Sequence, residues 1–390
     1  MRLDRLEVRG FRSYGEASLD LASGLTVLIG ANGSGKTNLL EAMGYLARLS
    51  SFRGAPTDAL VRSGNAASRF DSAVVRGFGT IGDRRMEIET EIAPGRRNRT
   101  LINKQPVARL RDVADALNVS VFSPDDLILV KGGPGERRSY LDELAARLHP
   151  RNDALIVEFE RVLRQRNALL KQSGGRLDAS AALTLDVWDD KLSSVGEKLG
   201  ELRRSMAAQL EPVIAKAYAD IADRRAPVSL TIKPSWTGLL ADALVVGRND
   251  DVRRGVSLLG PHRDDVEALI EGRSSRTHAS QGEQRTLSLS LRLAGHRLVA
   301  DTLGRTPLLL LDDVFSELDP ARSDALIRHL PAGQSVLATA GVLPAAAQVQ
   351  AVYRVSRDPE RGSHVVVDNP GETVDSKRAE FREFSGGSGR

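Results

Sequence analysis

The sequence predicts an α/β protein in which both ends of the chain build one domain and the middle inserts a helical lobe. Three observations carry that prediction. Strand-like and helix-like segments alternate near both termini, the pattern of helices layered on a sheet. A glycine-rich stretch, GANGSGKTNLLEAM (Gly30 to Met43), joins an apolar strand to a helical pattern. From Glu136 to about Ile221 the apolar residues recur mainly at three and four positions, the period of a helix.

Length and composition set the outer bounds. The 390 residues suffice for two or three ordinary domains, and 41% hydrophobic with 27% charged residues is the balance of a soluble globular chain. Cysteine is absent, which removes disulfides, thiolate metal sites and cysteine nucleophiles. A net charge of +4 is compatible with nucleic-acid binding without establishing it. The N-terminal MRLDRLEVRG lacks the apolar core of a signal peptide, and no stretch is long enough to cross a bilayer, so a cytoplasmic protein is expected.

In chain order, Leu3 to Phe11 has strand spacing, and ASLDLASGLTVLI supplies two further strands. Leu39, Leu40, Met43, Leu46 and Ala47 then mark one face of a helix. FDSAVVRGFG, RRMEIETEI and RTLINK read as an antiparallel β meander broken by Gly, Asp and Pro, with GRRNRT at a turn tip. A short helix (Ala108 to Leu117) and a strand (Val119 to Phe122) follow. The helical region is interrupted at Pro150 and at SGG (173–175), and resumes from Leu183 to Ile221. Strands at VSLTIKP and within LLGPHRDDVEALIEG lead to a helix from Ala279 to Leu303. The buried strand LLLLD, a helix from Pro320 to Leu330, a strand at Ser335 to Thr339, and strands near Val352 and Val365 close the fold. The expected division is a head from 1–130 and 255–368, a helical lobe from 131–254, and a disordered Gly/Ser-rich tail from 369–390.

The stretch after the third strand fits G-x-x-x-x-G-K-[ST], with Gly30, Gly35, Lys36 and Thr37 at the fixed positions. Backbone N–H groups of Gly30, Ala31, Asn32, Gly33, Ser34 and Gly35 can close around a phosphate, and the helix start at Thr37 and Asn38 adds partial positive charge. Lys36 can reach the outer phosphates, and the Thr37 hydroxyl can ligate Mg²⁺. A Gly-rich turn without a ligand would not need that lysine and hydroxyl together.

LLLLDD places Asp312 at the end of a buried strand, where open α/β sheets bind ligands, so Asp312 is the expected metal-side carboxylate. Asp313, pointing the other way on an extended backbone, is suited to orient an attacking water. ASQGEQR (Ala279 to Arg285) resembles the ABC-type signature, with Ser280 and Gly282 matching and Gln281 between them. In that superfamily the signature of one subunit contacts the γ-phosphate held by another. SELD (Ser316 to Asp319) matches the loop that crosses the same seam.

Taken together, FRSY, GANGSGKTNLLEAM, FSPDDLILVKGGPGERRSYLD, LLGPHRDD, SQGEQRTLSLSLRLA and LLLLDDVFSELD resemble the bacterial RecF family of ABC/SMC-type ATPases, in order, from residue 1 to about 340. The resemblance implies an ABC/SMC-type P-loop ATPase head with a compact helical lobe instead of long coiled-coil arms. It implies ATP and Mg²⁺ as cofactors, an ATP-dependent homodimer on gapped or junction DNA, slow DNA-dependent hydrolysis, and RecR and RecO as partners in loading RecA during gap repair and the SOS response. Arg12 and Ser13 of FRSY are then expected near the adenine or α-phosphate. Asp313 stands where most ABC ATPases have Glu, and Thr339 where a His is usual. Ser123 with Asp125 and Asp126 stands where a Gln-loop would be.

Arg96, Arg97 and Arg99 on the turn tip, with Arg137 and Arg138, are the candidate DNA contacts. A solvated charged turn is the plainer reading of the first three. A transporter ATPase subunit would need the missing Gln-loop and His. An SMC-like structural ATPase would need longer arms than residues 136–222 supply. A metabolic kinase would leave SQGEQR and SELD unexplained.

Overall fold

The computed structural model describes residues 1–63, 70–222, 226–316, 318–341 and 343–368. The expected tail from Asn369 and Glu317 of SELD lie outside these residues. The strands are β1 (Arg2–Phe11), β2 (Tyr14–Asp20), β3 (Leu25–Ile29), β4 (Ala73–Ile81), β5 (Arg84–Ile92), β6 (Arg99–Ile102), β7 (Gln105–Pro106), β8 (Val119–Phe122), β9 (Val228–Lys233), β10 (Asp265–Ile270), β11 (Arg273–Ser274), β12 (Leu308–Asp312), β13 (Ser335–Thr339), β14 (Val349–Asp358) and β15 (Gly362–Asp368). The helices are α1 (Lys36–Arg48), α2 (Thr57–Leu60), α3 (Leu110–Ala116), α4 (Ile128–Lys131), α5 (Pro134–Leu148), α6 (Pro150–Gln172), α7 (Ala179–Ala222), α8 (Leu240–Arg254), α9 (Ser275–His278), α10 (Gln281–Leu303) and α11 (Pro320–Arg328). Among the described residues no helix is long and apolar enough to cross a membrane.

The chain divides into two compact units. The first comprises Met1–Asp125, Asp220–Asp223 and Leu303–Arg390, and the second Asp126–Ala219 and Arg224–Thr302.

In the first unit, one sheet runs in the order β7-β6-β5-β4-β1-β2-β15-β14-β3-β13-β12-β8. The β7 to β2 side is an antiparallel meander, whereas β14, β3, β13, β12 and β8 are parallel. Strands β3, β12 and β13 are buried along their whole length, as the continuous runs LTVLI, LLLLD and SVLAT require. Thr339 pairs with Ile29 and Asp312 with Ala338, so these strands finish at one edge of the sheet. Leu39, Leu40, Met43 and Leu46 of α1 are fully buried in the core that also takes Leu6 of β1 and Leu310 of β12.

In the second unit, Phe159 and Val162 of α6, Leu192, Val195 and Leu199 of α7, and Leu240 and Leu244 of α8 form one apolar cluster. Pro150 breaks the helical run as expected: α5 ends at Leu148, and Pro150 starts α6, where a missing N–H costs nothing. Helix α8 carries no clean apolar period, because Val245 and Val246 face outward at 66% and 86% exposure and blur the stripe of Leu240 and Leu244. Arg166 of α6, fully buried, bonds Asp189 at 2.6 Å and Asp251 at 2.7 Å, tying α6, α7 and α8 together through charge. A small sheet, β11-β10-β9, completes this unit.

Candidate functional site

The phosphate loop is shaped by positions that exclude a side chain. A Cβ on Gly30 would lie 2.0 Å from the Val355 carbonyl oxygen. Gly35, at φ 114°, is the N-cap of α1, and a Cβ there would sit 2.5 Å from Ser363 Oγ. Among the described residues no side chain caps α1, and no acid lies in its first turn, so its N-terminal N–H groups remain suited to an anion. Ala31, Asn32 and Gly33 form the exposed crest, while Ser34 is buried. Lys36 is also buried, and its Nζ donates to the carbonyl oxygens of Gly30 at 2.8 Å and Ala31 at 3.0 Å. Burial lowers its pKa, an effect opposed by the negative charges of Asp313 and Asp312.

The Thr37 hydroxyl donates to Asp312 Oδ1 at 2.8 Å, joining the start of α1 to the end of β12. Burial raises the Asp312 pKa against the Thr37 hydrogen bond and the nearby charges of Arg53 and Lys36. A hydroxyl and a carboxylate side by side form the hard oxygen set that Mg²⁺ takes, and the donor chemistry fits that ion. Asp313 differs from the sequence expectation. Its backbone is left-handed, at φ 49°, and its N–H donates to Ala338 O at 2.9 Å. The chain therefore turns sharply one residue after Asp312 instead of continuing extended. A non-glycine residue in this region is locally strained, a frequent property of functional positions.

Ser13 and Asn38 meet at this loop: Asn38 Nδ2 donates to Ser13 Oγ at 2.8 Å, and Ser363 Oγ donates to the same atom at 2.7 Å. Beside them lies an open cavity of about 790 Å³, walled by Arg12, Ser13, Asn38, Arg62 and Arg357 among others. Arg12, expected near the nucleotide, lines this cavity, and its guanidinium is forked onto the buried Glu41. Sequence reading missed Glu41, Arg53, Arg62 and Ser363. Nothing in the spacing marks the last three, but a glutamate on the apolar face of a helix was a legible signal for Glu41.

Ser280 is exposed at the start of the 23-residue helix α10, in the second unit. It shares a capping box with Glu283: Ser280 N and Oγ donate to the carboxylate at 2.8 and 2.9 Å, and Glu283 N donates back at 3.3 Å. Gln281 is exposed and Gly282 partly so. Thr339 is buried, its Oγ1 accepting from Gly341 N at 3.1 Å. Asp126, at the Gln-loop position, is buried and ion-paired with Arg292 at 2.7 Å.

Arg96, Arg97 and Arg99 are exposed, Arg96 standing 3.6 Å from Glu91. Arg137 leaves the candidate DNA set. It is buried, donating to Gly132 O at 2.9 Å and Asp265 Oδ1 at 2.8 Å, so its charge is spent inside the second unit. Arg138 is partly buried and donates to the Asp264 carbonyl.

A P-loop on a parallel core flanked by a meander, with two acids closing the next strand but one, defines an ATPase head of the ABC/SMC type. The family model described as RecF/RecN/SMC N terminal domain matches residues 2–356. The chain belongs to the RecF family. It is 41% identical over 361 residues to the DNA replication and repair protein RecF of Frankia alni, covering 88% of this chain and 94% of that one. A solved structure of the recombination mediator protein RecF-ATP in the RecFOR pathway superposes with a TM-score of 0.81 at 25% identity, covering 93% of this chain and 97% of that one. An Smc head bound to the C-winged helix domain of ScpA shares the fold, with a TM-score of 0.58 at 17% identity over 96% of this chain and all of that one.

Proposed function

We propose that the chain is an ATP-binding DNA replication and repair protein that dimerises on DNA with ATP and helps load RecA at gaps and single-strand/double-strand junctions. The observation that carries this reading is the convergence of Lys36, Thr37 and Asp312 at one sheet edge, on a chain 41% identical to a RecF. The loop from Gly30 to Thr37 cradles the triphosphate, and Lys36 exchanges its two carbonyl partners for phosphate oxygens. Thr37 and Asp312 would hold Mg²⁺, which would supply charge neutralisation at the outer phosphates. Asp313 orients the attacking water, with a carboxylate one methylene shorter than glutamate, which fits slow hydrolysis.

Ser280, Gln281 and Gly282 act on the nucleotide of a second copy; the likeness of ASQGEQR to the ABC-type signature and the exposure of Ser280 and Gln281 support this, and the Glu283 carboxylate that caps Ser280 gives way to the partner's phosphate. ATP thereby becomes the link of a homodimer. Arg96, Arg97 and Arg99 contact the DNA backbone, and RecR and RecO act with the dimer in the cytoplasm during gap repair and the SOS response. The test is MgATP binding followed by binding to blunt, gapped and single-stranded DNA, with and without RecR. The wild-type chain should bind ATP, the Lys36→Met variant should not, and ATP should strengthen binding to gapped DNA. ATP-independent DNA binding, equal in both proteins, contradicts the proposal.

A further inference from the structure

Glu41 lies fully buried on α1, one helical turn beyond Thr37, yet none of the phosphate chemistry uses it. A carboxylate at 0% exposure is unfavourable unless its charge is paired and its oxygens are hydrogen-bonded. Both conditions are met, by two different segments. Arg12 Nε donates to Oε2 at 2.7 Å and Arg12 Nη2 to Oε1 at 2.6 Å, and Ser51 Oγ donates to Oε1 at 2.5 Å. Ser51 Oγ in turn accepts from the backbone N–H of Arg53, whose charge acts on Asp312.

Arg12 is fastened from other sides too. It has left-handed backbone at φ 52°, its N–H donates to Leu60 O at 2.8 Å, and its Nη1 donates to Ala59 O at 3.0 Å. Side-chain bonds to described residues thus take three of its five N–H donors. The Arg12 side chain stays 18% exposed, and Arg12 lines the cavity beside the phosphate loop.

A buried ion pair contributes little net stability, since an apolar pair of the same shape fills the space as well. What a forked arginine–carboxylate pair supplies is a fixed orientation. We propose that Glu41 is a positioning residue for the nucleoside end of the site: it holds Arg12 on the cavity wall and so sets affinity for the part of the nucleotide beyond its phosphates. The inference rests on reading the loop and the adjoining cavity as one ATP site. Asn38 supports that reading, since it follows Thr37 directly, lines the cavity and bonds Ser13.

The discriminating measurement compares MgATP with magnesium-bound inorganic triphosphate, which engages the loop but has no nucleoside. The full chain is used as wild type and as Lys36→Met, Glu41→Gln and Ser51→Ala. Glu41→Gln is expected to raise the Kd for MgATP about tenfold, the scale of losing a charge-assisted fork, while triphosphate stays within about twofold. Ser51→Ala leaves the fork in place and shifts MgATP alone by about threefold. Equal losses for both ligands in Glu41→Gln make Glu41 a structural residue of α1 and overturn the proposal, as does no loss for either. Where Glu41→Gln does not fold, Ser51→Ala decides: an ATP-selective loss supports the proposal, and a loss shared by both ligands, or none, overturns it. Wild-type chain that binds neither ligand, or binds both as Lys36→Met does, overturns the ATP reading and this inference with it.

Discussion

The Thr37 hydroxyl donates a 2.8 Å hydrogen bond to Asp312 Oδ1, joining residues 275 positions apart in sequence. One partner opens α1 and the other closes β12, so the pair registers the phosphate loop against the parallel core. Asp312 is held there at a cost, because burial opposes its charged form.

Replacing Asp312 with Asn keeps an oxygen for Thr37 but removes the charge. Phosphate release from ATP should fall about 10²-fold, the scale of deleting one preorganised electrostatic contact. The thermal midpoint should hold or rise, since a desolvated charge is gone. Steady-state hydrolysis and calorimetry on the same sample check both. A stability loss equal to that of an ordinary core variant assigns Asp312 to the fold instead.

The arginines of the DNA set now divide into two groups with opposite expectations. Changing Arg96, Arg97 and Arg99 together to Glu should weaken DNA binding and reduce the slope of affinity against salt, with the urea midpoint unchanged. Arg137→Ala should do the reverse, lowering the unfolding free energy read from urea titration by about 1–3 kcal/mol through the stranded Asp265 and Gly132 partners and leaving the salt slope alone. Titrating DNA at several salt concentrations separates the two.

His296 of α10 is 2% exposed, and neither ring nitrogen has a hydrogen-bond partner among the described residues. Burial, with the charges of Arg147 and Arg297, lowers its pKa to about 4. Its folded pKa therefore lies below the unfolded value near 6.5, so the unfolded chain takes up the proton first as pH falls. The stability from this neutral histidine is complete above pH 6.5 and declines towards pH 4, by about 3 kcal/mol in total. Urea unfolding of wild type and His296→Leu across that window should give a steeper pH dependence for wild type.

Most of the fold was legible because its signals are local. The runs LTVLI, LLLLD and SVLAT have the length and composition of buried strands, and VVRGFG and MEIETEI alternate between more and less buried positions as strands of a meander do. The loop and Asp312 were legible because phosphate and metal chemistry fix residue type at fixed spacing. What escaped was set by tertiary contact. The turn at Asp313 depends on its N–H meeting Ala338, and Arg12 is oriented by Glu41 and Ala59, partners 29 and 47 residues away. Arg137 looked like a surface cation because its acid, Asp265, lies 128 residues downstream. Helix α8 was missed because its outward valines hid the period of the buried leucines.

The central claim is that one chain holds the loop and a second copy completes the site through Ser280. Sedimentation velocity at micromolar protein, with MgATP, MgADP or no nucleotide, tests it most directly when wild type and Ser280→Arg are run side by side. Wild type should gain a dimer with MgATP alone, and Ser280→Arg should bind ATP with wild-type affinity yet stay monomeric. The same mass for wild type in all three conditions, or a full ATP dimer in Ser280→Arg, contradicts the account.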